Sequence, residues 1–217
     1  MCSSDLGPRS TPQLSFTVRQ RYAHAGVVIT ASHNPYHDNG FKAYFGDGAQ
    51  LVPPHDRGVV SEYKSIRLDE VSPWLEDSCL DHCEPTILKT EDDMAYKGCL
   101  EDAVLNPELL KKTSPKIVFT PIHGTGAISA VPALWDHGVQ VALVDEQGKE
   151  DPNFSTVKSP NPENAEALAL GIKVANKTKS PYVLGSDPDC DRIGVAVAES
   201  KGDRKSTRLN SSHQIIS

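Results

Sequence analysis

The chain has 217 residues, with 22 lysines and arginines against 29 aspartates and glutamates, so its formal net charge is −7. With 38% hydrophobic and 24% charged residues, the composition excludes a mainly disordered chain. The negative charge argues against a general nucleic-acid binder. No apolar run approaches the roughly 20 residues of a membrane span, and no secretory leader is visible. We therefore expect a cytoplasmic protein whose five cysteines are reduced thiols.

The two ends of the chain lack any apolar periodicity. Residues 1–6 and 204–217 are patternless, and they resemble translated adapter sequence of the kind found in genes assembled from environmental DNA. We expect both segments to be artefact tails that contribute nothing to the fold. The chain is then expected to be an internal fragment of a longer protein.

The first half of the chain alternates short apolar runs with polar turns. Its predicted elements are strands at 26–30, 41–45 and 50–52 and helices at 53–68, 94–105 and from 107 onwards. The strand at 26–30 is predicted from its β-branched residues. The helix from residue 53 is predicted from two prolines, which suit a first helical turn. Residues 70–92 are acidic and irregular, with Trp74 as an expected anchor.

The second half repeats a strand–helix alternation. Its predicted elements are strands at 116–120, 139–144, 182–184 and 193–197 and helices at 126–136 and 163–173. This alternation predicts an α/β fold with mixed sheets and flanking helices. We place a partial first domain at 7–113 and a second domain at 114–203.

The strongest local signal is the run Asp-Pro-Asp-Cys-Asp-Arg at 187–192. In an extended loop alternate side chains point the same way, so Asp187, Asp189 and Asp191 are expected to converge on one hard cation. All-oxygen ligation suits Mg²⁺, which also takes phosphate oxygens or waters, and Arg192 could pair with that phosphate. A solvated acidic turn and a structural calcium loop remain open at this point.

A second signal is Thr-Ala-Ser-His-Asn-Pro at 30–35, followed by Asn39, Gly40 and Lys42. A turn built on Asn-Pro and Asn-Gly after a buried strand holds Ser32 out of the core. His33 and Lys42 could bind anions or move protons. No Gly-x-Ser-x-Gly elbow surrounds the serine, so a serine hydrolase is disfavoured, and an ordinary turn serine stays possible.

A third, weaker signal is the pair of glycines in the Gly-Thr-Gly segment at 124–126. Glycine lets a backbone approach a phosphate, but no Walker A motif is present. A tight strand-to-helix turn explains the segment equally well. The neighbouring His123 is a weaker candidate site residue.

Taken together, the motifs at 30–35, 39–42 and 187–192 resemble those of the α-D-phosphohexomutase family of phosphoglucomutases and phosphomannomutases. The stretches 120–126 and 151–162 look like the phosphoglucomutase or phosphopentomutase branch of that family. The resemblance covers roughly residues 8 to 200.

This resemblance implies an intramolecular phosphotransferase that interconverts hexose 1-phosphate and hexose 6-phosphate through a phosphoserine and a sugar bisphosphate. Ser32 would carry the phosphoryl group, and Lys42 would exchange a proton with the sugar. Mg²⁺ would be held by Ser32, Asp187, Asp189 and Asp191, with His33, Asn34 and Arg192 beside the phosphate. The partners would be sugar phosphate and sugar bisphosphate, with glucose favoured over mannose or pentose.

Some features depart from the family pattern. Members are about twice as long or more, and their sugar-binding and distal-phosphate domains have no counterpart here, so the fragment itself is expected to be inactive. Cys190 stands where the family usually has glycine or alanine. A non-catalytic metal- and phosphate-binding relic, or truncated module, is the alternative function, and a calcium-dependent structural protein is a more distant one. Oligomeric state stays open.

Overall fold

The structure is a computed structural model that describes residues 4–67, 86–88, 90–198 and 204–207. The expected anchor Trp74 and most of the acidic 70–92 segment lie outside these residues. The elements of the first half, in chain order, are β1 (Ser4–Asp5), α1 (Thr11–Gln20), β2 (Ala25–Ile29), β3 (Phe41–Phe45), α2 (His55–Ser65), β4 (Thr86–Ile87), α3 (Thr90–Asp102) and α4 (Pro107–Thr113).

The second half forms a five-stranded mixed sheet. Its elements are β5 (Lys116–Thr120), α5 (Gly126–Asp136), β6 (Gln140–Leu143), α6 (Ala169–Thr178), β7 (Tyr182–Ser186), β8 (Ile193–Ala198) and β9 (Arg204–Thr207). The strand order is β6-β5-β7-β8-β9. Strands β6, β5 and β7 are parallel, and β8 pairs antiparallel with β7 and with β9. The predicted α/β class with mixed sheets is confirmed.

The core of this sheet is a cluster of buried apolar side chains. Its buried cluster consists of Val118, Val144, Leu168, Ala175, Val183 and Ala196. Because β5 and β7 are buried parallel strands, their sequences are apolar almost throughout. Their carboxyl ends lead directly into the loops at 121–125 and 187–192, the edge where ligands bind in sheets of this type.

The first half contains a hairpin on which a helix packs. β2 pairs antiparallel with β3, from Ala25 opposite Phe45 to Ile29 opposite Phe41. Helix α1 lies against β2 so closely that a side chain at Gly26 would run into Val18. The short strands β1 and β4 form a separate parallel pair.

Most predicted elements coincide with observed ones, and two do not. The predicted strand at 50–52 is reduced to one bridge between Gln50 and Tyr44. The helix expected from residue 163 begins only at Ala169, because residues 161–167 form turns in which the Asn161 side chain accepts the N–H of Glu163. Helix α1 was not predicted at all.

The two ends of the chain, expected to be artefact tails, each contain a short strand. β1 lies in the segment expected to be a leading artefact, and β9 starts the segment expected to be a trailing one. The division of domains near residue 113 stays a prediction. Within the described ranges, no helix is long and apolar enough to cross a membrane.

Candidate active site

A sharp turn after β2 presents Ser32. Its backbone φ is 53°, in the left-handed region that disfavours residues with a Cβ, and its N–H donates to Thr30 Oγ1 at 2.8 Å. Gly40 crosses the Thr30 carbonyl so closely that any Cβ would collide with it. The Thr30 N–H in turn donates to the Gly40 carbonyl oxygen. These contacts fix the backbone around Ser32 in the loop that joins β2 to β3.

A second turn, directly after β7, gathers the three aspartates. The Oδ1 atom of Asp187 accepts the backbone N–H groups of Asp191 at 3.1 Å and Arg192 at 3.0 Å. The carbonyl oxygen of Asp187 accepts the N–H of Cys190, whose φ is 56°. The chain is therefore folded back on itself, and the expectation of an extended loop is wrong. The predicted convergence nevertheless occurs, because one carboxylate oxygen of each aspartate lies within 4.8 Å of the others.

The serine turn and the aspartate turn meet. Ser32 Oγ donates to Asp187 Oδ2 at 3.1 Å and lies 3.3 Å from His33 Nδ1. The serine turn also contacts the segment between β6 and α6, where Ser159 Oγ donates to the carbonyl oxygen of His33 at 3.1 Å. The structure thus brings together two motifs that the sequence keeps far apart.

Lys42 lies on β3 and reaches the same cluster. Its Nζ donates to Asp189 Oδ2 at 2.7 Å and to Asp191 Oδ2 at 3.1 Å. Burial alone lowers the pKa of Lys42, but the hydrogen bonds and negative charges of these two aspartates outweigh it and raise the pKa. The ammonium form is therefore stabilised, and it offsets part of the negative charge of the cluster.

The cluster has the properties of a divalent-cation site. Burial, reinforced by the charges of Asp189 and Asp191, raises the pKa of Asp187 to about 8. Burial also tends to raise the pKa of Asp189, but the hydrogen bond and charge of Lys42 lower it overall. In the part of the chain that the structure describes, the buried Asp189 Oδ1 has no hydrogen-bond partner. Three aspartates that each offer one oxygen, with a further buried oxygen of Asp189 left unpaired, fit a hard divalent cation.

The Gly-Thr-Gly segment at 124–126 packs against the aspartate turn and forms hydrogen bonds with it. Thr125 donates to the Pro188 carbonyl oxygen through both its N–H, at 2.8 Å, and its Oγ1, at 3.0 Å. A Cβ at Gly124 would collide with the Pro188 backbone, and one at Gly126 with Ser186 Oγ. Of the two interpretations left open above, the geometry favours the tight strand-to-helix turn over the phosphate loop.

His123 lies apart from the serine–aspartate contact. It is buried, with Nδ1 3.0 Å from the Lys149 carbonyl oxygen and Nε2 2.8 Å from Thr156 Oγ1. Both ring nitrogens are therefore used to hold the segment that follows β6. A role for His123 in the chemistry stays a prediction without a contact to support it.

Arg192 and Asn34 border the site on its exposed side. Arg192 Nη1 lies 3.6 Å from Glu163 Oε1. Burial, together with the charge of Arg192, lowers the pKa of His33 and favours its neutral ring. Asn34 is exposed, and its N–H donates to the Ala31 carbonyl oxygen.

Sequence reasoning missed three residues that hold the site. They are Thr11, which donates to Asp189, Ser159, which donates to His33, and Glu163, which faces Arg192. A signal existed for the first, because Ser10, Thr11 and Pro12 have the order typical of a helix N-terminus. No local pattern identifies the other two.

Comparison with known proteins places this chain in a family. Residues 3–70 match the model of phosphoglucomutase/phosphomannomutase alpha/beta/alpha domain I, and residues 96–202 match that of alpha/beta/alpha domain II. The chain belongs to the phosphoglucomutase/phosphomannomutase family. The resemblance inferred from the sequence motifs is thereby confirmed.

Individual relatives agree with this assignment. The chain is 36% identical over 209 residues to a phosphopentomutase of Pongo abelii, covering 92% of this chain and 33% of the relative. It is 36% identical over 202 residues to a phosphoglucomutase of Staphylococcus aureus, covering 89% and 35%. The chain thus spans about a third of the length of these curated relatives.

A solved structure supports the fold. The crystal structure of a putative phosphomannomutase from Thermus thermophilus superposes with a TM-score of 0.68 at 24% identity, over 88% of this chain and 40% of that one. At this identity the likeness concerns the fold alone.

Proposed function

We propose that the full-length protein is a Mg²⁺-dependent sugar phosphomutase that uses Ser32 as its phosphoryl carrier. The observation that carries this proposal is the contact between Ser32 Oγ and Asp187 Oδ2 at 3.1 Å. A hydroxyl held at the edge of an acidic, oxygen-only cluster is where a phosphoryl group and a divalent cation neutralise one another.

In the proposed cycle, phosphoserine 32 gives its phosphoryl group to the free hydroxyl of a sugar monophosphate. The P–O bond to Ser32 breaks and a P–O bond to the sugar oxygen forms. The proton of the sugar hydroxyl passes to Lys42, and the freed Ser32 oxygen takes up a proton in its place. The resulting sugar bisphosphate turns over and returns its other phosphoryl group to Ser32. Hexose 1-phosphate and hexose 6-phosphate are thereby interconverted.

The residues around Ser32 have distinct proposed roles. Lys42, on the sugar side, exchanges a proton with the reacting hydroxyl, and Arg192 and Asn34 bind phosphate oxygens. Neutral His33, within hydrogen-bond distance of Ser32 Oγ, orients the hydroxyl.

Asp187, Asp189 and Asp191 would hold the Mg²⁺. When bound, it supplies neutralisation of the phosphoryl charge. The protein's own hydrogen bonds hold the three carboxylates: two backbone N–H groups of the turn bind Asp187, and Lys42 binds Asp189 and Asp191. Such fixed positions avoid reorganisation during transfer.

The proposed substrate class rests on the named relatives. The similar proteins named above act, by their names, on pentose and glucose phosphates. We propose a hexose phosphate, glucose phosphate first, with mannose and pentose phosphates as the alternatives. The ratio of kcat/KM for glucose 1-phosphate, mannose 1-phosphate and ribose 1-phosphate distinguishes them.

The decisive experiment is phosphorylation of Ser32 in the full-length protein. Incubation with glucose 1,6-bisphosphate and Mg²⁺ should add one phosphoryl group to the intact mass, and peptide mapping should locate it on Ser32. Ser32→Ala should take up none, whereas Ser61→Ala, at an exposed helix serine, should behave like the wild type.

Two results would contradict the proposal. Phosphorylation that persists in Ser32→Ala would remove the carrier role, and transfer that is unchanged in EDTA would remove the Mg²⁺ dependence. Cation binding without any phosphoryl transfer would instead favour the non-catalytic relic.

A further inference from the structure

The two carboxylate oxygens of Asp189 have different surroundings. Oδ2 accepts the Thr11 hydroxyl at 2.9 Å and the Lys42 ammonium at 2.7 Å. Oδ1 is buried and, among the described residues, has no hydrogen-bond donor, although a protonated Asp187 would share a side-chain hydrogen bond with Asp189. Leaving a buried carboxylate oxygen unpaired is costly, so the arrangement makes sense if Oδ1 faces a ligand absent from the protein itself.

Thr11 contacts Asp189 twice. Besides the hydroxyl contact, the Thr11 N–H donates to the Asp189 carbonyl oxygen at 2.9 Å. Thr11 is the first residue of α1, where backbone N–H groups have no partner inside the helix. The helix end therefore clamps both the main chain and the side chain of Asp189.

The helix that carries Thr11 is itself firmly attached. Ser10 caps α1 by accepting the N–H of Gln13, and Arg9 binds Asp93 of α3 through Nε at 2.7 Å and Nη2 at 2.8 Å. The side-chain amide of Gln13 donates to the same aspartate at 2.7 Å. Thr11 thus has a fixed position from which its hydroxyl can orient a neighbour.

We infer that Thr11 is a positioning residue for the proposed cation site, because its hydroxyl binds Asp189 Oδ2 and so fixes the carboxylate with Oδ1 directed to the cation. The rotation of a carboxylate about its last bond is soft, so the Thr11 hydroxyl, together with the Lys42 ammonium on the same oxygen, determines where the other oxygen points. This inference rests on the proposed function. It adds a residue from the first half of the chain to a site whose carboxylates all come from the second.

The test measures Mn²⁺ binding to the full chain by the loss of the free-ion EPR signal. Mn²⁺ is suitable because carboxylate oxygens bind it as they bind Mg²⁺. Thr11→Val removes the hydroxyl at nearly constant volume and should weaken Mn²⁺ binding by about 10-fold or more, the usual effect of losing an outer-sphere partner. Thr11→Ser keeps the hydroxyl and should restore near-wild-type affinity.

Thr17→Val is the matched control. Thr17 is a buried threonine on the same helix, and its hydroxyl donates to the Gln13 carbonyl oxygen at 2.9 Å rather than to an aspartate. It should lose helix stability in the same way and retain Mn²⁺ affinity. If Thr11→Val does not fold, the pair Thr11→Ser and Thr11→Ala, which differ only by the hydroxyl, gives the same comparison.

The outcomes separate this inference from the proposed function. If the wild type and Thr11→Val bind Mn²⁺ equally well while Asp189→Asn abolishes binding, only the positioning role of Thr11 is overturned. Wild-type binding that is unaffected by Asp189→Asn overturns the proposed cation site and the inference with it.

Discussion

Ser32 Oγ and Asp187 Oδ2 lie 3.1 Å apart although 155 positions separate the two residues in the chain. The contact joins a turn after a hairpin strand to a turn after a sheet strand. Neither turn contains a complete site, because the hydroxyl belongs to one and the carboxylates belong to the other. Any reaction at Ser32 therefore depends on how the two halves of the chain pack.

Replacing Asp187 with asparagine should abolish cation binding without unfolding the chain. A neutral side chain removes a buried carboxyl from the repulsion of Asp189 and Asp191, so cation-free stability should not fall. Thermal unfolding with and without Mn²⁺ measures both effects, since a bound ion raises the midpoint. Asp145→Asn, at an exposed aspartate outside the cluster, should keep the Mn²⁺ shift, and a shift retained in Asp187→Asn would contradict this prediction.

The variant Lys42→Arg should separate the contribution of the Lys42 charge to stability from the proposed role of Lys42 in proton transfer. An arginine keeps the ion pairs to Asp189 and Asp191, so the free energy of unfolding should change little. Its guanidinium does not give up a proton near neutral pH, so kcat of the full-length protein should fall by about 100-fold or more. Steady-state kinetics and urea unfolding provide the two measurements. Near-wild-type turnover would remove Lys42 from proton transfer.

Gly124→Ala should destabilise the protein through the aspartate turn. The added methyl would strike the Pro188 backbone, and such overpacking typically costs about 1–3 kcal/mol. Gly98→Ala is the matched control, because a Cβ at this helical glycine meets no atom within 4 Å and should stabilise α3 by up to about 1 kcal/mol. Urea unfolding measures both. Equal effects would show that Gly124 does not pack as described.

The attachment of α1 to α3 should weaken in acid. Hydrogen bonds from Arg9 and Gln13, together with the Arg9 charge, hold the pKa of Asp93 below its ordinary value of 3.8. A carboxyl with a lowered folded-state pKa stabilises the protein above its ordinary pKa and loses that contribution as the pH falls through the folded-state value. Asp93→Asn should therefore destabilise the chain at pH 7 by about 1 kcal/mol, since the pair is partly exposed.

Urea unfolding at pH 7 and at pH 3 checks this sign. The difference between wild type and Asp93→Asn should shrink at the lower pH, where the wild-type carboxyl begins to take up its proton. Asp102→Asn, at an exposed aspartate near the end of α3, should show no such trend. A difference that grows in acid would mean that Asp93 is not held by Arg9.

Cys190 should be inert toward alkylation in the folded chain. Although the residue as a whole is only partly buried, burial raises the pKa of its thiol to about 12, and the thiolate is the reactive form. Iodoacetamide at pH 8 should label the exposed Cys99 and leave Cys190 unmodified, with both labelled in urea. Peptide mass spectrometry resolves the two, and equal rates in the folded chain would contradict the prediction.

The sequence was most informative where chemistry and secondary structure are local. The apolar run at 116–120 predicted β5 to the residue, because a buried parallel strand needs little beyond its own side chains to be recognised. Asp187, Asp189 and Asp191 were predicted to converge, and they do. They converge through a folded-back turn rather than an extended loop, because backbone N–H groups bind the Asp187 carboxylate.

Helix α1 shows where sequence reasoning fails. Its buried residues include Thr11, Gln13 and Thr17 alongside one valine, Val18, so the apolar periodicity that identifies a helix is missing. Two of these polar side chains form hydrogen bonds with distant parts of the chain, Thr11 with Asp189 and Gln13 with Asp93. A helix stabilised by distant hydrogen bonds leaves almost no local pattern.

The sequence by itself determined the α/β class, the family and the residue types that can hold a phosphoryl group and a cation, because these depend on short motifs and local periodicity. Tertiary structure alone decided which of these residues meet. It joined Ser32 to Asp187, placed Lys42 between two carboxylates and brought Thr11 to Asp189. Contacts between distant segments follow from the packing of whole elements, which no short stretch of sequence encodes.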